Sequence, residues 1–447
     1  MQVDKQTLLD LEIIKNRSKN ESGPSILDYL DRTRTEGGRY RLAQIVQVPK
    51  SDIKSIVEFQ VSLKFILKHS DKWSFINEIT ADERMESISR YLRSNVITKP
   101  KSDPVSDYFT SIYWSIFHQD IYQIIYSGVI NVFQLIDGLK DFYYDSSLEG
   151  LPGPIQKIMD VLGPIYLKGE FSILFNTLSQ NRNSAPFIFQ ADRVFRNTAK
   201  ETILQLEKCV YEIDAMMSLS LIVYEKKLVF PRFIDSETPQ LKITGLYHPY
   251  VKDPVKNDFS SEDGNFVFLT GPNMGGKTTF MKAAGIAVYL AHIGMAVPAE
   301  KMSLSLFDRL YSGINTIDNI QMGYSYFYSE VLRVKEIAEL LVKDWKSFVL
   351  FDELFKGTNV SEAYEASKRV ILGLARSKNA FFVVSSHLVE LENDIKQKKN
   401  ISFYYFDAEI VDHKPVYHYL LKKGVSTQKL GLLLLENEDV FKILEQL

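Results

Sequence analysis

Cysteine is almost absent: Cys209 is the only one in 447 residues. That rules out an internal disulfide and a thiolate metal cluster, and it points to a reducing compartment. No run reaches the roughly 18 consecutive apolar residues that span a bilayer. The first residues, MQVDKQTLLDLEI, lack the apolar core of a signal peptide. A cytoplasmic protein without a membrane partner is therefore expected. An excess of basic charge is missing too: 53 Lys plus Arg stand against 56 Asp plus Glu, a net charge of -3. Any nucleic-acid binding would then depend on a local patch or an assembled dimer, not on overall charge. The chain has no internal repeat and no low-complexity tract. With 45% hydrophobic and 24% charged residues, it has the composition of a globular chain of two or three domains.

The most informative segment is TGPNMGGKTT, Thr270 to Thr279. Gly271, four further residues, then Gly276, Lys277 and Thr278 make a complete phosphate-binding loop. Backbone amides of Gly271, Pro272's neighbours Asn273 and Met274, and Gly275 and Gly276 can curl round phosphates. Lys277 supplies a point charge, Thr278 a hydroxyl for Mg²⁺, and Thr279 continues the turn. The preceding NFVFLT is short and apolar like a buried strand, and the following KTTFMKAAGIAVYLAHIG has helical composition. The loop therefore sits at a strand-to-helix turn, and a nucleoside triphosphate, ATP with Mg²⁺, is the expected ligand.

SFVLFDE, Ser347 to Glu353, lies 75 residues beyond Lys277 at its Asp352. An apolar strand ending in two carboxylates would place Asp352 beside Mg²⁺ and leave Glu353 to polarise water. FFVVSSHL, Phe381 to Leu388, reads as a further buried strand, with His387 placed to sense the terminal phosphate. Between these elements, Ser325 stands where a helix carrying Tyr328 to Leu341 can begin, a second anion site. One nucleotide already occupies the first loop, so Ser325 is expected to act in trans on the ATP of a partner subunit, in a homodimer.

Before about Phe230 the pattern is helical. Ile203, Leu206, Val210, Ile213 and Met217 repeat at 3-4-3-4 spacing and predict one long helix over about 197–224 with a single apolar seam. After Phe233 short apolar runs alternate with helical ones, the mark of a mostly parallel sheet covered by helices.

Together these segments resemble the MutS family, ABC-like ATPases of DNA mismatch repair and recombination control. TGPNMGGKTT is similar to that family's phosphate loop, GMAVPAEKM (Gly294 to Met302) to the segment after its first helix, and FDELFKGTN and SSHL to its acidic strand and switch histidine. Gly323, Ser325, Phe327 and Glu330 fall on its signature. DLEI at Asp10 to Ile13 and the stretch Ser25 to Ile53 resemble the start of its core or lever domain, and Ser220 to Phe233 the return into the ATPase.

The resemblance implies a multidomain chain: an all-α core and lever domain over 1–232, with room for a shortened clamp between about Lys72 and Lys200, then an α/β P-loop ATPase domain over 233–447 ending in a helical dimerisation segment. It implies that Val255 and Tyr419 flank the adenine, and that mismatched or branched DNA is the partner. Two departures qualify this. The family's mismatch-wedging Phe-x-Glu occurs here only as Phe351 to Glu353, inside the acidic strand, so direct mismatch reading is not expected. Tyr324 and Tyr326 stand where the family prefers a basic residue and a threonine, and Asp318 and Asn319 replace an acidic pair. An ABC-type ATPase acting without DNA is the alternative. A transporter motor would carry an LSGGQ-like signature and a small-molecule kinase an arginine-rich lid, and neither stands out.

Overall fold

The computed structural model describes residues 1–14, 23–94, 104–145, 150–167, 184–314, 326–343, 345–411, 414–426 and 440–444. The protein combines helices with two sheets and divides into two compact units. One holds residues 30–47 and 58–225; the other holds 1–29, 48–57 and 226–447. No helix among the described residues is long and apolar enough to cross a membrane.

The first unit is helical. Its main elements are α1 (Glu36–Gln47), α2 (Arg84–Arg93), α3 (Gln119–Tyr144), α4 (Ala185–Arg196) and α5 (Lys200–Lys226). The expected seam lies on α5: Ile203, Leu206, Val210 and Ile213 are buried, but Met217 is only half-buried while its neighbour Met216 is fully enclosed. A straight helix drifts by about 20° per heptad from a 3.5-residue repeat, which turns Met217 toward the edge of the seam, and α5 is there enclosed on most sides, with Ala215, Met216, Ser218 and Leu219 all buried.

Buried polar groups set how these helices meet. Asp214 on α5 accepts hydrogen bonds from Thr35 N at 3.0 Å and Thr35 Oγ1 at 2.8 Å, satisfying donors at the start of α1 that would otherwise be orphaned. A β-carbon on Gly38 would lie 2.1 Å from Asp214 Oδ2, so this approach requires glycine. Asp192 on α4 is fully buried, receives Tyr91 Oη of α2 at 2.7 Å, and pairs with Arg196 Nε at 2.7 Å. Such a pair is weak evidence of stability, but either half alone would be a buried charge without compensation.

In the second unit β1 (Gln2–Val3), β5 (Phe266–Thr270), β7 (Arg309–Gly313), β8 (Ser347–Asp352), β9 (Ala380–Ser385), β10 (Ile401–Val411) and β11 (Lys414–Lys423) form one sheet in the order β1-β7-β8-β9-β5-β10-β11. It is a mixed sheet, parallel except for the β10–β11 hairpin. β5, β8 and β9 are buried at every residue, as expected for continuous apolar runs covered on both faces. A second sheet runs β2 (Arg232–Ile234), β6 (Lys301–Ser305), β3 (Leu241–Leu246), β4 (Asn257–Ser260). The helices α6 (Lys277–Ile293), α7 (Tyr326–Leu341) and α8 (Val360–Leu374) follow β5, precede β8 and follow β8 respectively.

The first residues join this unit. β1 pairs in parallel with β7, and Asp10 of the DLEI segment is buried, accepting from Ser312 Oγ at 2.9 Å and Ile314 N at 3.0 Å. Leu11 and Ile13 are fully enclosed.

Glu207 on α5 generates a test of the helical unit. It is buried, bonded by Ser89 Oγ at 2.9 Å, and burial pushes its carboxyl from 4.5 up to about 7. A raised acid costs stability as pH rises from the unfolded value through the folded one. Glu207→Gln should therefore stabilise the protein at pH 8, by at most about 3 kcal/mol at ~1.4 kcal/mol per pKa unit, and leave it unchanged near pH 4.5. Urea midpoints of both proteins at the two pH values check this; an equal gain at both would exclude the linkage.

Candidate nucleotide site

Strand order brings the site together. β8, β9 and β5 are neighbours, and Asp352 is opposite Ser385, which is itself opposite Leu269. The segments after these strands, the loop from Gly271, the Asp352–Glu353 pair and Ser385–His387, therefore leave the sheet at one end. That is the crevice at the carboxyl ends of the strands where open α/β sheets bind ligands.

Asp352, buried at the end of β8, has both oxygens engaged. Thr278 Oγ1 donates to Oδ2 at 2.6 Å, and Ser385 Oγ donates to Oδ1. Ser385 Oγ also accepts from Glu353 N at 3.1 Å, so one serine hydroxyl sets the spacing of the two carboxylates. Lys277 Nζ lies on the carbonyls of Gly271 and Pro272, at 2.8 and 3.1 Å. Burial pulls its pKa down, opposed by the charges of Glu353 and Asp352.

Glu353 has a left-handed backbone, φ +58°, and Phe355 another, φ +63°; side-chain-bearing residues rarely adopt this conformation, and it concentrates at functional sites. His387 Nε2 pairs with Glu353 Oε1, and Lys356 Nζ with Oε2 at 2.9 Å. Burial pushes the Glu353 carboxyl up, but the hydrogen bonds and charges of His387 and Lys356 outweigh it and hold it at about 2.

A cavity of about 510 Å³ opens beside the loop, bordered by Pro272 to Thr279, Glu353, Val255, Asn257 and Tyr419. Sequence reasoning missed Asn257. Its Nδ2 donates to the carbonyls of Val255 at 3.3 Å and Tyr419 at 3.0 Å, and its Oδ1 accepts from Leu421 N at 2.7 Å. One amide thus ties β4 to β11 and brings Val255 and Tyr419, 164 residues apart in sequence, to one cavity. The only sign of it in the sequence is a polar residue at a strand start. Ser385 was visible only as part of a motif, and Lys356 was not singled out. Ser325 and Gly323 lie outside the described residues; Phe327 and Glu330 lie on the first turns of α7.

Residues 267–442 match the model of MutS domain V. Over this region the chain is MutS-like. It is 28% identical over 245 residues to the DNA mismatch repair protein MutS of Staphylococcus haemolyticus, 53% of this chain and 27% of that protein. It is 30% identical over 229 residues to MutS of Anaplasma phagocytophilum, 50% of this chain and 27% of the relative. With MutS of Aquifex pyrophilus the identity is 27% over 250 residues, 54% and 29% of the two chains. The MutS-like chain therefore spans little more than a quarter of the length of these relatives.

Gly271 tests the loop geometry. Its φ is +137°, and a β-carbon there would lie 2.7 Å from the Phe406 carbonyl oxygen. Gly271→Ala should lower stability by about 1–3 kcal/mol through both effects; an unchanged urea midpoint would show that the loop can relax.

Proposed function

We propose that this MutS-like chain is an ATPase whose ATP-driven rearrangement operates a DNA-clasping dimer, in mismatch repair or a related repair or recombination process. The observation that supports it most is the convergence, at one end of the sheet, of the Gly271–Thr278 loop, the Thr278–Asp352 hydrogen bond and the Glu353–His387 pair. In this reading the substrate's phosphates lie on the amides of Gly271 to Thr279 and draw Lys277 Nζ off the loop carbonyls, while its adenine lies between Val255 and Tyr419.

Thr278 and Asp352 would hold Mg²⁺, a hydroxyl and one carboxylate being the sparse protein ligand set that leaves room for phosphate and water oxygens. The ion supplies charge neutralisation on the phosphates. Glu353 orients the attacking water and takes its proton, and His387 fixes the rotamer of Glu353 and meets the terminal phosphate. Ser325 contacts the partner subunit's ATP.

We assign residues 1–232 to a helical core and lever and 233–447 to the ATPase domain, noting that 1–29 and 48–57 pack with the ATPase part. A cytoplasmic location and mismatched or branched DNA as partner belong to the same proposal. The relatives' name, DNA mismatch repair protein, supports it.

Three measurements test this reading. Glu353→Gln should bind ATP like the parent yet hydrolyse it at least about a hundredfold more slowly, the scale of a lost general base, whereas Lys277→Ala should weaken binding itself; full turnover by Glu353→Gln would remove it from the base role. Tyr419→Ala should raise the ATP Kd about tenfold, as expected for loss of an aromatic contact worth ~1 kcal/mol or more; unchanged affinity would discard the adenine assignment. Mixing Ser325→Arg with Lys277→Ala subunits should restore one intact composite site and hence hydrolysis that neither mutant shows alone. Inactivity of demonstrated mixed dimers would refute the trans site.

A further inference from the structure

Lys356 follows Glu353 by three residues in the same left-handed turn, with its Nζ 2.9 Å from Glu353 Oε2. Since His387 engages Oε1, both carboxylate oxygens are occupied by nitrogen donors. Each oxygen keeps a further lone pair for water, but a carboxylate whose charge is met at 2.9 Å by an ammonium is a weak acceptor of a water's proton until that ammonium leaves.

The turn rests on the start of α7. The rings of Phe355 and Phe327 are 5.8 Å apart, and a β-carbon on Gly357 would lie 2.8 Å from the Phe327 backbone nitrogen. Three residues along the same helix face, Glu330 is only 6% exposed, and its Oε2 has no hydrogen-bond partner. Burial raises the Glu330 pKa; the backbone N–H groups of Gly357, Lys356 and Phe355 and the charge of Lys356 pull it back, yet none of them closes a hydrogen bond on Oε2. A buried acceptor without a donor is rare enough to need an explanation. Here it stands beside the lysine that occupies Glu353.

We propose that Lys356 is a positioning residue with two carboxylate partners, Glu353 in the conformation seen here and Glu330 in the hydrolysing one, and that transfer of Nζ from the first to the second relieves Glu353 of the ammonium that weakens it as a base and opens Oε2 to water. Its four-carbon stem and rotatable ammonium suit such a move. Glu330 thereby links α7, the helix that follows Ser325, to the group that activates water. The inference rests on the reading of Glu353 as the water-orienting group.

A double-mutant cycle on the full chain separates this role from a structural one, with steady-state ATP hydrolysis and equilibrium ATP binding as the two readouts. Glu330→Met removes the acceptor and keeps the bulk; it should lower kcat about tenfold with the ATP Kd unchanged. Lys356→Met should raise kcat severalfold, and adding Glu330→Met to it should change nothing further, because no ammonium remains to be relocated. The same loss of kcat from Glu330→Met in both backgrounds, or no loss in the parent, would overturn the proposal. If Glu330→Met does not fold, Glu330→Gln takes its place in the cycle with the same two criteria. Wild-type hydrolysis by Glu353→Gln would instead strike at the premise, leaving the two failures distinguishable.

Discussion

Everything at the candidate site depends on how Asp352 is held. Its two oxygens are bonded by hydroxyls from two other segments, Thr278 after β5 and Ser385 at the end of β9. These contacts exist only because β8, β9 and β5 run parallel and adjacent, so that their carboxyl ends finish at the same level. The parallel order in turn requires strands that can be buried on both faces, which the uninterrupted runs FVFLT, SFVLFD and AFFVVS provide. A polar residue in the middle of any of these strands would disturb the sheet and with it the register of the carboxylates.

Charge balance explains the form of the next shell. Lys277, Lys356 and His387 stand against Asp352 and Glu353, and each ionised group meets an opposite or hydrogen-bonding partner. Burial disfavours the charges of Glu353 and Lys277, and their partners oppose it. This is why Glu353 is held low and Lys277 is pulled down only against the resistance of its acidic neighbours. The left-handed backbone at Glu353 and Phe355 is the conformational cost of presenting both carboxylates on successive residues.

The helical unit uses buried polarity differently. Asp214, Asp192 and Glu207 take no part in the proposed chemistry; they fix which turn of one helix meets which turn of another. Apolar packing alone tolerates a slip of one turn between helices. A buried carboxylate tolerates none, because a slip would strip it of its donors.

What the sequence determined by itself is what short range determines: the loop with its glycines and lysine, the apolar strands around it, the long helix of 200–226, and the acidic strand end. Each is a pattern of local periodicity or of residues adjacent in the chain, and each reappears in the structure within a few residues of its expected bounds. Only the tertiary structure decided that Asn257 ties Val255 to Tyr419, that Ser385 spaces Asp352 from Glu353, that Glu330 lies buried beside Lys356, and that the first residues add an edge strand to the sheet. These are pairings between segments tens to hundreds of residues apart, each made by a residue type common at surfaces. The partner, not the residue, carries the meaning, and the partner is chosen by strand order and helix packing, which no local pattern encodes.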